Sequence, residues 1–221
     1  MIYAIDVTCV VVLLILGYIE LVKYLTNKKI SEIGKDLRAF SKNRVIYLVF
    51  MLLAGASLII SFNTMYHIDA ITQAKLITLV MMIGPMAAVD YRLQKIPNRF
   101  LVIALLARVI ILIFEILDDF AESLSIMKDS ALAALVIGLF FFILLLVFKN
   151  SIGMGDIKLF AVIGLYQGIW GTVNSVFFSL LVSFFIAIFL LITKKKKRSD
   201  TIPFGPCILL GTIIAMCLSG M

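Results

Sequence analysis

ALAALVIGLFFFILLLVF, residues 131–148, runs between Ser130 and Lys149 without a single charged or strongly polar side chain. A bilayer core of about 30 Å needs roughly 20 apolar residues in a helix. Such a run therefore reads as a membrane crossing, and the rest of the chain repeats it. Apolar segments recur near 3–25, 45–63, 72–90, 99–117, 130–149, 157–171, 173–193 and 204–220. The sixth and seventh are separated only by a few residues around Gly168–Gly171. The spacing predicts an all-α, polytopic bundle of about eight membrane helices.

Composition agrees. Of the 221 residues 63% are hydrophobic and 15% charged, with a mean hydropathy of +1.15. Soluble domains average about 45–50% apolar, and a core of this size could not hide the excess from water. A soluble enzyme, a disordered chain and a disulfide scaffold are excluded. The formal charge of +7 does not indicate nucleic acid, because the cations lie between the apolar runs. The run Lys194–Arg198 reads as a stop-transfer flank. Cys9, Cys207 and Cys217 sit in apolar stretches and form no CxxC or His–Cys cluster that could hold a metal.

Lys and Arg favour the cytoplasmic side of a membrane protein. With the N-terminus outside, one side collects Lys23 to Arg44, then Arg92, Lys95 and Arg99, then Lys149 and Lys158, then Lys194 to Arg198. All but Lys75, Lys128 and Arg108 of the 20 cations fall there. The loop holding Asp118, Asp119 and Glu122 falls outside. No basic region precedes the first apolar run, so a cleavable signal peptide is not expected. Residues 1–221 read as a single membrane domain with a basic, partly helical cytoplasmic loop at 26–44.

In a chain so poor in charge, carboxylates at membrane depth are candidate functional groups. Asp90 closes the third segment and Asp156 opens the sixth, both on the cytoplasmic face. Each also has a structural reading. Asp156 could be an N-cap after Gly-Met-Gly, and Asp90 a water-facing acid at a helix end stopped by Ile96-Pro97-Asn98. Arg108, halfway through the fourth segment, requires a partner from among Asp6, Glu20 and Glu115. His67 and Asp69 read as solvated loop residues, and Tyr166 and Trp170 as interface anchors.

Three stretches resemble the type IV prepilin peptidases. Asp90-Tyr-Arg-Leu-Gln-Lys-Ile96-Pro97 is similar to their first aspartate motif. Gly153-Met-Gly155-Asp156-Ile-Lys158, with the later Gly164, is similar to their GxGD motif. Pro203-Phe204-Gly205-Pro206 is similar to the start of their last helix. The resemblance implies an aspartic endopeptidase in the cell membrane, its site facing the cytoplasm. Such enzymes cut the short basic leader from prepilins or pseudopilins without a cofactor or catalytic metal. Asp90 and Asp156 then form the catalytic pair, two carboxylates sharing one proton. Gly153 and Gly155 would admit the substrate backbone, while Lys158 and Pro97 would support the loop or substrate. The implied partners are a prepilin substrate and the bilayer, with no nucleic acid. Members that also N-methylate the product carry four zinc-binding cysteines between the first two helices. Thr26–Arg44 has none, which argues for a peptidase alone. Another GxGD intramembrane protease, or a small ion-coupled transporter using Asp156 and Arg108, remains as an alternative.

Overall fold

The computed structural model describes residues 37–147, 153–194 and 201–220. The expected first segment, 3–25, lies outside them. Six α-helices follow in order: α1 (Leu37–Ser61), α2 (Ala70–Leu93), α3 (Asn98–Asp118), α4 (Phe120–Val147), α5 (Met154–Ile192) and α6 (Gly205–Ser219). A short π turn, Phe62–Tyr66, prolongs α1. No strand occurs among the described residues. Ile46–Tyr66 and helices α2 to α5 are each long and apolar enough to cross a membrane. α6, also apolar, has 15 residues.

α2 is the central helix. Of its apolar window 72% is buried, against 22% for α4 and 11% for α5. That gradient suits a bilayer, where lipid tails are as apolar as leucine and an outward apolar face costs nothing. The core around α2 comprises Leu58 and Phe62 of the α1 unit, Leu76, Leu79, Ile83 and Met86 of α2, Phe160 and Ile163 of α5, and Ile208 and Met216 of α6. Local chemistry sets the helix ends. Asp69 accepts from the Thr72 N–H at 2.8 Å and caps the start of α2. Asp119 accepts from Ala121 and Glu122 and starts α4 one residue after α3 ends. The outer loop expected around 118–129 is therefore helical from Phe120, because Asp119 by itself supplies the turn and the cap.

α5 is two arms rather than one straight rod. Gly168 has φ 69° and ψ −169°, outside the helical region. Ser175 Oγ reaches Gln167 Oε1 at 2.8 Å across eight positions, although eight residues of straight helix rise about 12 Å. The chain folds back at Gly168, within the junction the sequence predicts. Asp129 of α4 accepts from the Ile169 N–H at 3.2 Å and caps the second arm. The first arm packs on α4 and the second on α6.

A buried ionic cluster ties the opposite end of the bundle together. Glu115 bonds Lys75 Nζ at 2.9 Å and Arg108 Nη1 at 2.8 Å. Arg108 Nε also donates to the Leu165 carbonyl at 2.7 Å. Glu115 is thus the partner of Arg108; Asp6 and Glu20 lie outside the described residues. Lys75, near the start of α2, is buried because Glu115 compensates its charge. One expectation changes here. Tyr166 is no interface anchor: it is 1% exposed and donates to the Ala104 carbonyl at 2.7 Å, beneath the Arg108 guanidinium. Trp170 is exposed at the rim, as are His67 and Asp69.

Candidate active site

Three helix ends meet at one end of the bundle: the C-terminus of α2 and the N-termini of α5 and α6. Asp90 lies in the last turn of α2. Its carbonyl accepts from the N–H of Gln94, which adopts a left-handed conformation (φ 50°) and ends the helix. The side chain turns inward and is only 5% exposed. Asp90 is therefore not a water-facing acid. Its Oδ2 accepts from the Gly205 N–H at 2.7 Å, and the Phe204 N–H donates to it as well. These are first-turn donors of α6, which its own backbone cannot satisfy.

Gly205 is required by space. A Cβ there would stand 2.9 Å from the Asp90 Cβ and 3.3 Å from the Ala87 Cα. Only glycine lets the start of α6 approach α2 so closely. Pro206 follows in the first turn, where the missing N–H is no loss. Phe204 meets Phe160 edge-on at 6.0 Å, and Phe160 stacks on Phe141 at 4.8 Å. This aromatic series fixes the entry of α6 against α5 and α4.

Asp156 occupies the third position of α5. Gly153, not Asp156, is the N-cap residue. Its carbonyl accepts from the Asp156 N–H at 3.0 Å, and its own N–H donates to the Asp156 carboxylate. Asp156 thus plays the part of the back-reaching acid of a capping box. The Asp90 charge acts directly on Asp156, and both carboxylates act on Cys207 in the first turn of α6. Two acids 66 positions apart in sequence share one locus at the ends of different helices.

The remaining expected residues frame this locus. Ile96 packs on Gly155, where a Cβ would fall 2.9 Å from the Ile96 Cβ. Pro97 is the N-cap residue of α3 at φ −73°. Lys158 is exposed and donates to Asn98 Oδ1 at 3.0 Å. Gly153 is exposed, with space beside it taken up by the Asp156 carboxylate. The roles of Gly205 and Phe204 as donors to Asp90 escaped the sequence reading. A glycine between two prolines at the start of an apolar helix was their only trace. Gln94 and Thr201 also pair, through Oε1–Oγ1 at 3.1 Å and Nε2–O at 3.4 Å, joining the end of α2 to the entry of α6.

Residues 76–192 match the type IV leader peptidase family, a span that includes Asp90 and Asp156. The chain is also similar to a prepilin leader peptidase/N-methyltransferase of Bacillus subtilis (strain 168), at 30% identity over 129 residues. That alignment covers 58% of this chain and 49% of the relative, so the chain spans about half the relative's length. No solved structure gives a significant match. With the family pattern extending over more than half of its length and across both aspartates, the chain belongs to the type IV leader peptidase family.

Proposed function

We propose that this protein is a membrane aspartic endopeptidase that removes the short basic leader from type IV prepilins or pseudopilins, with Asp90 and Asp156 as its catalytic pair. The observation that carries the reading is the meeting of those two carboxylates at a helix-end junction inside the family-matched span. Like charges at one locus disfavour double ionisation, so the pair holds one proton between its members. The ionised carboxylate takes a proton from water as that water attacks the scissile carbonyl. The protonated carboxyl polarises the carbonyl oxygen and then passes its proton towards the leaving amine. The backbone donors Gly205 and Phe204 hold Asp90 in orientation, and the Gly153 N–H does the same for Asp156.

The charge asymmetry of the sequence supports eight crossings, an outside N-terminus, and a site at the cytoplasmic face of the cell membrane. The fold-back at Gly168, which divides α5 into two apolar arms, is in keeping with that count. The relative's name includes N-methyl transfer. For this chain we propose proteolysis alone and no metal, since residues 26–44 hold no cysteine. The purified protein, mixed with a prepilin, should release the leader and leave an unmethylated N-terminus when S-adenosylmethionine is present. Mass spectrometry of the product decides both points. An intact prepilin refutes the peptidase reading, and a methylated terminus refutes its restriction to proteolysis.

A further inference from the structure

Lys158 lies two residues beyond Asp156, and an ammonium there could either bind the leader's carbonyls or hold the protein together. Its Nζ donates to Asn98 Oδ1 at 3.0 Å across 60 positions. Asn98 opens α3 immediately after Ile96-Pro97, and Ile96 sits against Gly155. The contacts thus come as a bracket. Gly155 and Lys158, on either side of Asp156, grip Ile96 and Asn98, on either side of Pro97. Pro97 has its φ fixed by the ring, so the connector between them is stiff. That same connector begins at the end of α2, where Asp90 lies.

We infer that Lys158 and Asn98 form a clamp that sets the position of Asp156 relative to Asp90, making Lys158 a positioning residue rather than a ligand for the leader. The inference rests on the peptidase reading above for its kinetic consequences, but not for its geometry. Both partners are exposed, and an exposed hydrogen bond contributes little to stability. A displacement of about 1 Å at a catalytic group, by contrast, can cost on the order of 100-fold in rate.

The test compares Lys158→Met, Asn98→Ala, the double variant and Asn98→Asp in prepilin cleavage. Both single variants should accumulate normally in the membrane and lose kcat by up to about 100-fold with KM unchanged. The double variant should be no worse than the poorer single one, since the two groups act as a unit. Asn98→Asp keeps an acceptor for Lys158 and should recover most of the rate. A rise in KM alone for Lys158→Met, with Asn98→Ala silent, would overturn the clamp in favour of substrate binding. Additive losses, or two silent variants, would overturn it too. A second readout needs no cleavage. Hydrogen–deuterium exchange at the Phe100 and Asp156 amides, which bond the Pro97 and Gly153 carbonyls at the two helix starts, should quicken in Lys158→Met. If the protein cleaves no prepilin, the peptidase reading fails while this rate still judges the clamp. An unchanged rate rejects it.

Discussion

Asp90 and Asp156 differ in what holds them. Asp90 is buried and bound by backbone donors of another helix, whereas Asp156 is half-buried and bound by the cap of its own helix. Neither arrangement needs a negative charge, since an amide oxygen can accept the same hydrogen bonds. Asp90→Asn and Asp156→Asn should therefore leave protein levels nearly unchanged. Each should lower cleavage by about 10²–10⁴-fold through loss of the group that cycles the proton. The double variant should be hardly worse than either single one, and Asp118→Asn, exposed at the other end of α3, serves as the control. Cleavage of a prepilin at normal rate by either single variant would sink the mechanism. Gly205→Ala asks a different question. The added Cβ has no room beside Asp90 and Ala87, so α6 or Asp90 must shift, at about 1–3 kcal/mol for overpacking. A fall in kcat larger than the fall in thermal stability is the expected outcome.

At the scale of elements, the fold-back in α5 depends on one backbone conformation and one cap. Gly168 sits at positive φ, and a Cβ there would collide with the Asp129 carboxylate. Gly168→Ala should destabilise the protein by about 1–3 kcal/mol, the cost of holding an L-residue in a backbone region that is essentially glycine's alone. Asp129→Ala removes the cap on Ile169 and should cost about 1 kcal/mol. Melting in detergent measures both. A neutral Gly168→Ala would show that the two arms do not require the break. The positions of the helices were legible in advance because each needs only a run of apolar residues. Their ends were less so. The start of α4 at Phe120 follows from Asp119 capping two N–H groups. Acidic residues such as Asp119 and Glu122 read as a loop in the sequence, yet they suit the cap and first turn of a helix as well as they suit water.

For the molecule as a whole, the ionic cluster and the aspartate pair occupy opposite ends of the bundle. Glu115 compensates two buried cations. Glu115→Gln should destabilise the protein by about 3–5 kcal/mol, because it strands charge in a low-dielectric interior. Adding Lys75→Met should recover part of the loss, and melting of the purified protein tests both steps. Topology has its own test. Cysteines introduced at Lys35 and Lys196 should react only with membrane-permeant reagents in intact cells, and one at Asp119 should react with impermeant ones. Labelling at Lys196 from outside would refute the eight-crossing arrangement.

The sequence alone determined that the chain is helical and built for a membrane, because hydropathy acts through composition over about 20 residues and needs no partner. It also marked Asp90 and Asp156, since a carboxylate in an apolar chain stands out wherever it points. It could not say that Asp90 faces inward to the amides of α6, that Glu115 and not Asp6 or Glu20 meets Arg108, or that Tyr166 is buried. Those facts concern which helix lies beside which. In lipid an apolar face fits a neighbouring helix and the acyl chains almost equally well. Neighbours are then chosen by the few glycines, caps and charges that only the tertiary structure brings into contact.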